Sequence, residues 1–200
     1  MAGTEVLANE KSKWITPAFA IPLTWIRNVP DRGTEETMLL SLLPSMVVLG
    51  LAAIAALRFT VVDRSPPENK AERHVAARAL AVSAGIQAIH FSEEALTGFP
   101  QQLGALLGLP AMPMSFFLAF NLAWLAIWAA SVPGLQSART GAFFAAWFLA
   151  IAGMFNAIAH PLLALAAGGY FPGLFSSPFI GAAAALLWLR LRAATLSTAQ

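Results

Sequence analysis

The sequence predicts an all-α membrane protein, a polytopic bundle of about five transmembrane helices. Three observations predict it: hydrophobic residues make up 58% of the 200 positions, charged residues only 11%, and the mean hydropathy is +0.68. Soluble domains carry about 25% charged residues, so this composition is typical of a membrane-embedded chain. A chain of this length is expected to form one bundle, with residues 38–192 as its transmembrane domain.

Five segments are long and apolar enough to cross a hydrocarbon core about 30 Å thick. Short breaks that contain proline, glycine or charged residues separate them. These breaks are residues 63–70, 98–110, 133–139 and 168–173. The predicted spans are residues 38–62, 75–97, 113–132, 141–167 and 172–191.

Polar segments are expected at both ends of the transmembrane domain. Residues 1–37 form an N-terminal arm whose apolar stretch, residues 15–26, is too short to cross the roughly 30 Å core. We therefore expect the arm to lie at the interface, with Trp14 and Trp25 as anchors, and not to be a signal peptide. Residues 193–200 form a polar C-terminal tail.

The lysine and arginine positions predict the orientation. Eight of the twelve lie in or beside the first connection, the third connection and the C-terminal end, which fall on one side of a five-span bundle. The other four lie in the N-terminal arm. Because basic residues accumulate on the cytoplasmic side, the sequence predicts a multi-pass inner-membrane protein with an outside N-terminus and a cytoplasmic C-terminus.

Several classes of site are excluded by residue usage. Cysteine is absent, so the chain has no disulfides, thiolate metal sites or thiol nucleophiles. It has no glycine-rich phosphate loop and no basic stretches interleaved with aromatic residues, so nucleic acid is not an expected partner. Membrane lipids and a hydrophobic small molecule are the expected partners, and nothing in the sequence points to a protein partner.

Two adjacent carboxylates stand out in the second predicted span. Eight of the ten acidic residues lie at or before Glu72, and the other two are Glu93 and Glu94. An ionisable group inside a membrane helix costs about 2.5–3.5 kcal/mol on insertion scales, so a neighbouring pair calls for a role. His90 precedes them by three and four positions and shares their helix face. The three residues predict a buried acid–base or metal-ligand cluster.

Other spans bring polar groups to the same depth. Asn156 and His160 are four residues apart in the fourth span, and Asn121 is isolated in the third. Counted from the nearer span ends, His90, Asn121 and His160 each lie about 10–12 Å below the non-basic face. We therefore expect one site formed by several helices. Residues expected to support it from its edge are Gln87, Asn121 and Tyr170.

The run His90-Phe91-Ser92-Glu93-Glu94 resembles the signature of the HXXEE family of small bacterial membrane proteins. The runs at residues 156–160 and 170–173 resemble the second block of that family, and we expect the latter run to form a turn. The resemblance extends over residues 75–191. Since no activity is established for the family, the resemblance implies an active site at these residues and no particular reaction.

A membrane-embedded enzyme acting on a lipid- or isoprenoid-like substrate is the function that the pattern favours. Histidine and glutamate suit zinc or non-haem iron, and two histidines with a carboxylate leave room for water activation or oxygen chemistry. A metal-free pair of glutamate and histidine for proton transfer is the other version. The expected metal ligands are His90, Glu93, Glu94 and His160. The expected catalytic residues are the same four together with Asn156.

Two other classes of function stay open. The cluster could stabilise helix packing in a non-catalytic subunit, or in an assembly factor that binds a ligand or pigment. It could instead belong to a proton- or cation-coupled transporter. Five spans without an internal repeat are few for an alternating-access carrier, and a pigment-binding histidine does not account for adjacent glutamates. Both features favour the enzyme.

Overall fold

The structure is a computed structural model, and it describes residues 35–63 and 65–196. Within these residues the chain is helical and has no strand, which confirms the all-α prediction. A short 3-10 turn, Pro67–Asn69, precedes the second helix. The helices are α1 (Glu35–Val62), α2 (Lys70–Thr97), α3 (Phe99–Leu107), α4 (Met114–Gln136), α5 (Thr140–Ala167) and α6 (Ser177–Thr195).

Four of these helices are long and apolar enough to cross a membrane, namely α1, α2, α4 and α5. They correspond to the first four predicted spans and support the expectation of a polytopic membrane protein. The fifth predicted span, residues 172–191, becomes a loop followed by the 19-residue α6. Arg190 and Arg192 in the last turns of α6 lower its hydropathy, and α6 is not among the helices that could span. The count of five spans therefore stays a prediction.

The ends of the described chain differ from the predicted boundaries. Helix α1 begins at Glu35, three residues inside the predicted arm, and α6 continues to Thr195, inside the predicted tail. The rest of the arm, with Trp14 and Trp25, lies outside the described residues, as do residues 197–200.

The connection between α2 and α4 contains a helix that the sequence did not predict. Pro100 lies in the first turn of α3, where a helix tolerates a residue without an N–H group. The helix ends at Gly108 after nine residues. Glycine and proline were interpreted as a break between spans, and here they mark the two ends of a short helix.

Helices α5 and α6 approach each other closely through small residues. A Cβ atom built at Gly153 would lie 2.7 Å from the Cβ atom of Ala184, and one built at Gly181 would overlap Ala157. Such contacts are how membrane helices gain packing energy without large apolar side chains. Helix α2 packs on the same pair, with the Ser83 hydroxyl donating to the carbonyl of Ala183 at 3.1 Å. The three helices α2, α5 and α6 position the polar residues described below.

The connection between α1 and α2 is fixed to the end of α6. The side-chain amide of Asn69 donates to the carbonyls of Ala194 at 3.3 Å and Leu196 at 2.7 Å. These bonds satisfy carbonyls that the last turn of a helix leaves without a partner. Arg192 also pairs with Asp63 at 2.5 Å. Two of the regions that carry most of the basic residues therefore lie at one end of the bundle.

Candidate metal centre

Helices α2 and α5 bring three titratable side chains together. His90 and Glu94 lie one turn apart on α2, and His160 lies near the end of α5; all three are buried. The two imidazole rings are 4.7 Å apart between centroids and nearly perpendicular, at 88°. One ligand atom from each residue lies within 4.8 Å of the other two. These three are a subset of the residues that the sequence singled out.

The hydrogen bonds of His160 determine which of its nitrogens carries the lone pair. Its Nδ1 atom lies 2.6 Å from the carbonyl oxygen of Pro172, which can only accept. Nδ1 therefore carries a hydrogen, and in the neutral ring Nε2 has the lone pair. That Nε2 lies 3.3 Å from Oε1 of Glu94.

His90 has the same tautomer for a related reason. Its Nδ1 lies 2.8 Å from the Ser176 hydroxyl, whose single hydrogen is donated to the carboxylate of Glu93. The hydroxyl must therefore accept from Nδ1, and the lone pair is again on Nε2. The Nε2 atom of His90 lies 3.6 Å from Oε1 of Glu94 and 3.2 Å from the amide nitrogen of Asn156, which donates to it.

Two imidazole lone pairs thus converge on one carboxylate oxygen. Acceptors at this separation repel each other unless a proton or a cation lies between them. Zinc bonds to nitrogen and oxygen of about 2.0–2.2 Å place tetrahedral ligand atoms roughly 3.3–3.5 Å apart. The 3.3 Å and 3.6 Å separations at Glu94 are close to that spacing. The three residues fit a small divalent metal ion.

Glu93 has different neighbours from Glu94. Its Oε1 accepts from the Tyr170 hydroxyl at 2.7 Å and from the backbone N–H of Phe175 at 3.1 Å. Its Oε2 accepts from the backbone N–H of Ser176 at 2.8 Å and from the Ser176 hydroxyl. Although the sequence predicted Glu93 as a ligand, the structure does not bring it into the group of His90, Glu94 and His160. Glu93 anchors the connection between α5 and α6.

This connection, residues 168–176, is here called the cap loop. It begins at Gly168 and contains Gly173, both with positive φ, of 70° and 86°. A Cβ atom at Gly173 would lie 2.6 Å from Nδ1 of His160 and 2.9 Å from Cε1 of His90. Only glycine lets the cap loop approach both imidazole rings this closely.

Sequence reasoning missed the residues through which the cap loop acts, which are Pro172, Gly173 and Ser176. The run at residues 170–173 was noticed and expected to form a turn, and within it only Tyr170 was expected to support the site. Ser176 carried no signal, because it follows that run and precedes a second serine at the start of α6. Its position beside His90 arises from the loop conformation.

The remaining predicted residues are distributed as follows. Asn156 contacts His90, and Tyr170 contacts Glu93. Gln87 is buried one turn before His90, without a hydrogen-bond partner among the described residues. The amide of Asn121 donates to the carbonyl of Phe117 on its own helix at 2.9 Å. Among the described residues, Asn121 forms no hydrogen bond with the cluster.

No protein-family profile, curated protein or solved structure matches this chain. The resemblance to the HXXEE family stays a prediction, and the site is interpreted from its own geometry.

Proposed function

We propose that the protein is a membrane-embedded enzyme in which His90, Glu94 and His160 hold a divalent metal ion, zinc or non-haem iron, and which acts on a hydrophobic, lipid-like substrate. One observation carries the proposal: the Nε2 atoms of both histidines face Oε1 of Glu94, at 3.6 Å and 3.3 Å. A metal ion between them would convert this repulsive arrangement into an attractive one.

The outer partners of the histidines support the same proposal. Metal-binding histidines almost always donate their second N–H group to a carbonyl, a carboxylate or water, which fixes the ring and its tautomer. His160 donates to Pro172, and His90 donates to Ser176, which is itself bonded to Glu93. Both imidazoles are therefore held with Nε2 directed to the same point.

Three protein ligands leave coordination positions for water and substrate, as in catalytic zinc sites. A metal ion bound there would polarise a carbonyl group and make a bound water more acidic. The chain itself contributes fixed ligands and a dry surrounding, since His90 and His160 are 0% and 2% exposed. Asn156 adds an amide that can donate to a substrate.

We also propose that the protein lies in a bacterial inner membrane with the site near the outer face. The basic residues of the first connection and of α6 lie at the opposite end of the bundle, joined through Asp63 and Arg192. Basic residues at that end favour a cytoplasmic position for it. The C-terminus would then be cytoplasmic and the N-terminus outside.

The apolar packing toward the basic end weighs against proton-coupled transport. Leu80, Trp147 and Leu187 are fully buried there and belong to one apolar cluster, and the residues that the structure describes form no chain of titratable groups through it. A transport path would need such groups through the membrane. A metal-free enzyme is the stronger alternative, because a proton shared between His160 and Glu94 would also remove the repulsion between them.

Metal content tests the proposal. Full-length protein purified without a histidine tag should contain about one zinc or iron per chain by elemental analysis. His160→Ala and Glu94→Gln should abolish that content, because each removes a ligand atom. Glu93→Gln is the matched control: it should keep the stoichiometry with an affinity about 10–100-fold lower, the usual effect of losing an outer partner.

Two outcomes would contradict the metal proposal. Wild-type protein that stays metal-free after incubation with zinc or iron would favour the proton-sharing pair. Equal loss of metal from Glu93→Gln and Glu94→Gln, with both variants folded, would mean that the geometry does not distinguish the two carboxylates.

A further inference from the structure

The surroundings of the metal centre restrict the route by which a substrate could arrive. On the side of the non-basic end, the cap loop lies directly on both imidazoles. Pro172 accepts from His160, Ser176 accepts from His90, and Gly173 sits against both rings. Pro172, Gly173 and Ser176 are themselves buried. The loop therefore separates the cluster from the water on that side.

The opposite side is closed by helix packing. Toward the basic end, Gly153 of α5 lies against Ala184 of α6, and Ser83 of α2 is hydrogen-bonded to Ala183 of α6. These contacts hold α6 closely against α5 and α2 on that side. A substrate therefore does not reach the cluster along the bundle axis.

Asn156 is partly exposed, whereas the three residues of the cluster are buried. It contacts the fully buried His90, yet its own side chain is only half-buried. On the same face of α5, one turn to either side, Ala152 and Ala159 are also only partly buried, so a partly exposed stripe of α5 passes the cluster. Among the described residues, none donates a hydrogen bond to the carbonyl oxygen of Asn156. A partly exposed amide that contacts a buried histidine offers a lateral approach to the cluster.

The amide of Asn156 becomes free when the metal centre forms. In this structure it donates to Nε2 of His90, the atom that would bind the metal. A lone pair used for a metal bond no longer accepts a hydrogen bond. The amide would then be left beside the metal with an unused N–H group, which is the kind of fixed donor that stabilises negative charge on a carbonyl oxygen.

Charge identifies the class of substrate. No lysine or arginine lies between Arg78 and Arg139, or between Arg139 and Arg190. The described residues at the level of the cluster therefore carry carboxylates and histidines and no fixed cation. Proteins recognise phosphate groups with arginine and lysine, so an anionic headgroup beside the cluster would find no such partner among residues 35–63 and 65–196. An uncharged polar group is favoured.

Resting on the proposed function, we infer that the substrate is an uncharged acyl lipid, an ester or an amide, which enters from the bilayer and places its carbonyl oxygen on the amide of Asn156. The reaction is hydrolysis. The oxygen of water bonds to the carbonyl carbon, the acyl–oxygen or acyl–nitrogen bond breaks, and the hydrogen ion released by the water joins the leaving alcohol or amine.

The inference is tested with cobalt-substituted, full-length protein in lipid nanodiscs, where the visible bands of cobalt report its coordination. Two probes of equal chain length both enter the bilayer and both can bind a metal. One is a long-chain hydroxamic acid, which is uncharged when free, has a carbonyl and releases its proton to solvent as it binds. The other is a long-chain phosphonate, which is already anionic in the bilayer. The hydroxamic acid should shift the cobalt bands, and the phosphonate should not at the same mole fraction.

Asn156→Ala should weaken hydroxamic acid binding about tenfold, the effect of one lost hydrogen bond, without changing the amount of cobalt bound. Asn156→Leu keeps a side chain of similar shape and should show the same loss of binding. A loss common to both variants cannot come from the cavity that Asn156→Ala leaves. Asn121→Ala is the matched control, because that amide bonds only to its own helix and its loss should leave binding unchanged.

Equal binding of the phosphonate would overturn the substrate class. Unchanged hydroxamic acid binding in both Asn156 variants would overturn the role of Asn156. Failure of the wild-type protein to take up cobalt would instead contradict the proposed metal centre, and the inference would fall with it.

Discussion

Glu93 and Glu94 are adjacent in the chain, and helix geometry gives them different roles. Successive residues of a helix point about 100° apart, so one carboxylate faces the histidines and the other faces the cap loop. Glu93 follows His90 by three residues and Glu94 by four, and both spacings allow contact with His90. The sequence therefore predicted both glutamates as functional but could not assign them different roles. The roles depend on where α5 and the cap loop pack against α2.

The tautomers of the two histidines could not be predicted from the sequence either. They depend on Pro172 and Ser176, which follow His90 by more than 80 residues. A backbone carbonyl has no sequence signal at all, since every residue carries one. What the sequence did predict was the depth of His90 and His160, because helix rise alone determines it once the spans are known.

The single tyrosine of the chain provides a pH-dependent test at this scale. Burial, together with the hydrogen bond to Glu93 and the charge of that carboxylate, raises the pKa of Tyr170 above its ordinary value of about 10. A raised folded pKa means that the hydroxyl stabilises the fold fully below the ordinary pKa. That contribution is lost as the pH rises through the folded value.

The measurement is the tyrosinate absorbance of the intact protein during an alkaline titration. It reports Tyr170 alone, because the chain has no other tyrosine. The midpoint should lie above that of the denatured protein, and Glu93→Gln should move it down by removing the negative charge. A midpoint equal to that of the denatured protein would contradict the bond between Tyr170 and Glu93.

The helices were the most predictable elements, and the loop between α5 and α6 was the least. Long apolar runs predict helices because a backbone in lipid must satisfy its own hydrogen bonds. Each of α1, α2, α4 and α5 was therefore located to within a few residues. The cap loop has no such rule, since its conformation depends on Glu93, His90 and His160 on other elements.

Two of the three glycines of the cap loop, Gly169 and Gly173, allow a matched experiment. Gly173→Ala should destabilise the loop by about 1–3 kcal/mol and lower the metal affinity, because it introduces a strained positive φ and a clash with both imidazoles. Gly169→Ala should have little effect, since a Cβ atom there meets nothing within 4 Å.

Thermal unfolding and metal titration of the two variants provide the readout. If Gly173→Ala behaves like Gly169→Ala in both measurements, the cap loop does not lie on the imidazoles as described.

The whole molecule has two chemically distinct ends. One end carries the basic residues and is closed by Asn69 and Arg192, and the other carries the cap loop over the cluster. The sequence predicted this asymmetry from charge, and the structure adds the contacts that fix the first connection to α6. Which end faces the cytoplasm is predicted from the basic residues, which accumulate on the cytoplasmic side of a membrane.

Single cysteines test the orientation, because the natural chain has none to remove. Gly169→Cys in the cap loop should react with a membrane-impermeant maleimide on intact spheroplasts. Ser137→Cys, exposed between α4 and α5, should react only after lysis. The reverse pattern would invert the proposed orientation, and labelling of both from the same side would contradict a membrane-spanning α5.

The position of the cap loop has a consequence for biosynthesis. Translation proceeds from the N-terminus, so the ribosome delivers α2 and α5 before it delivers Pro172 and Ser176. Until those residues emerge, the imidazoles of His90 and His160 lack the acceptors that fix their tautomers. The nascent bundle can thus hold all three candidate ligands and still lack a finished site. Maturation of the site waits for the cap loop, which follows all three candidate ligands in the chain.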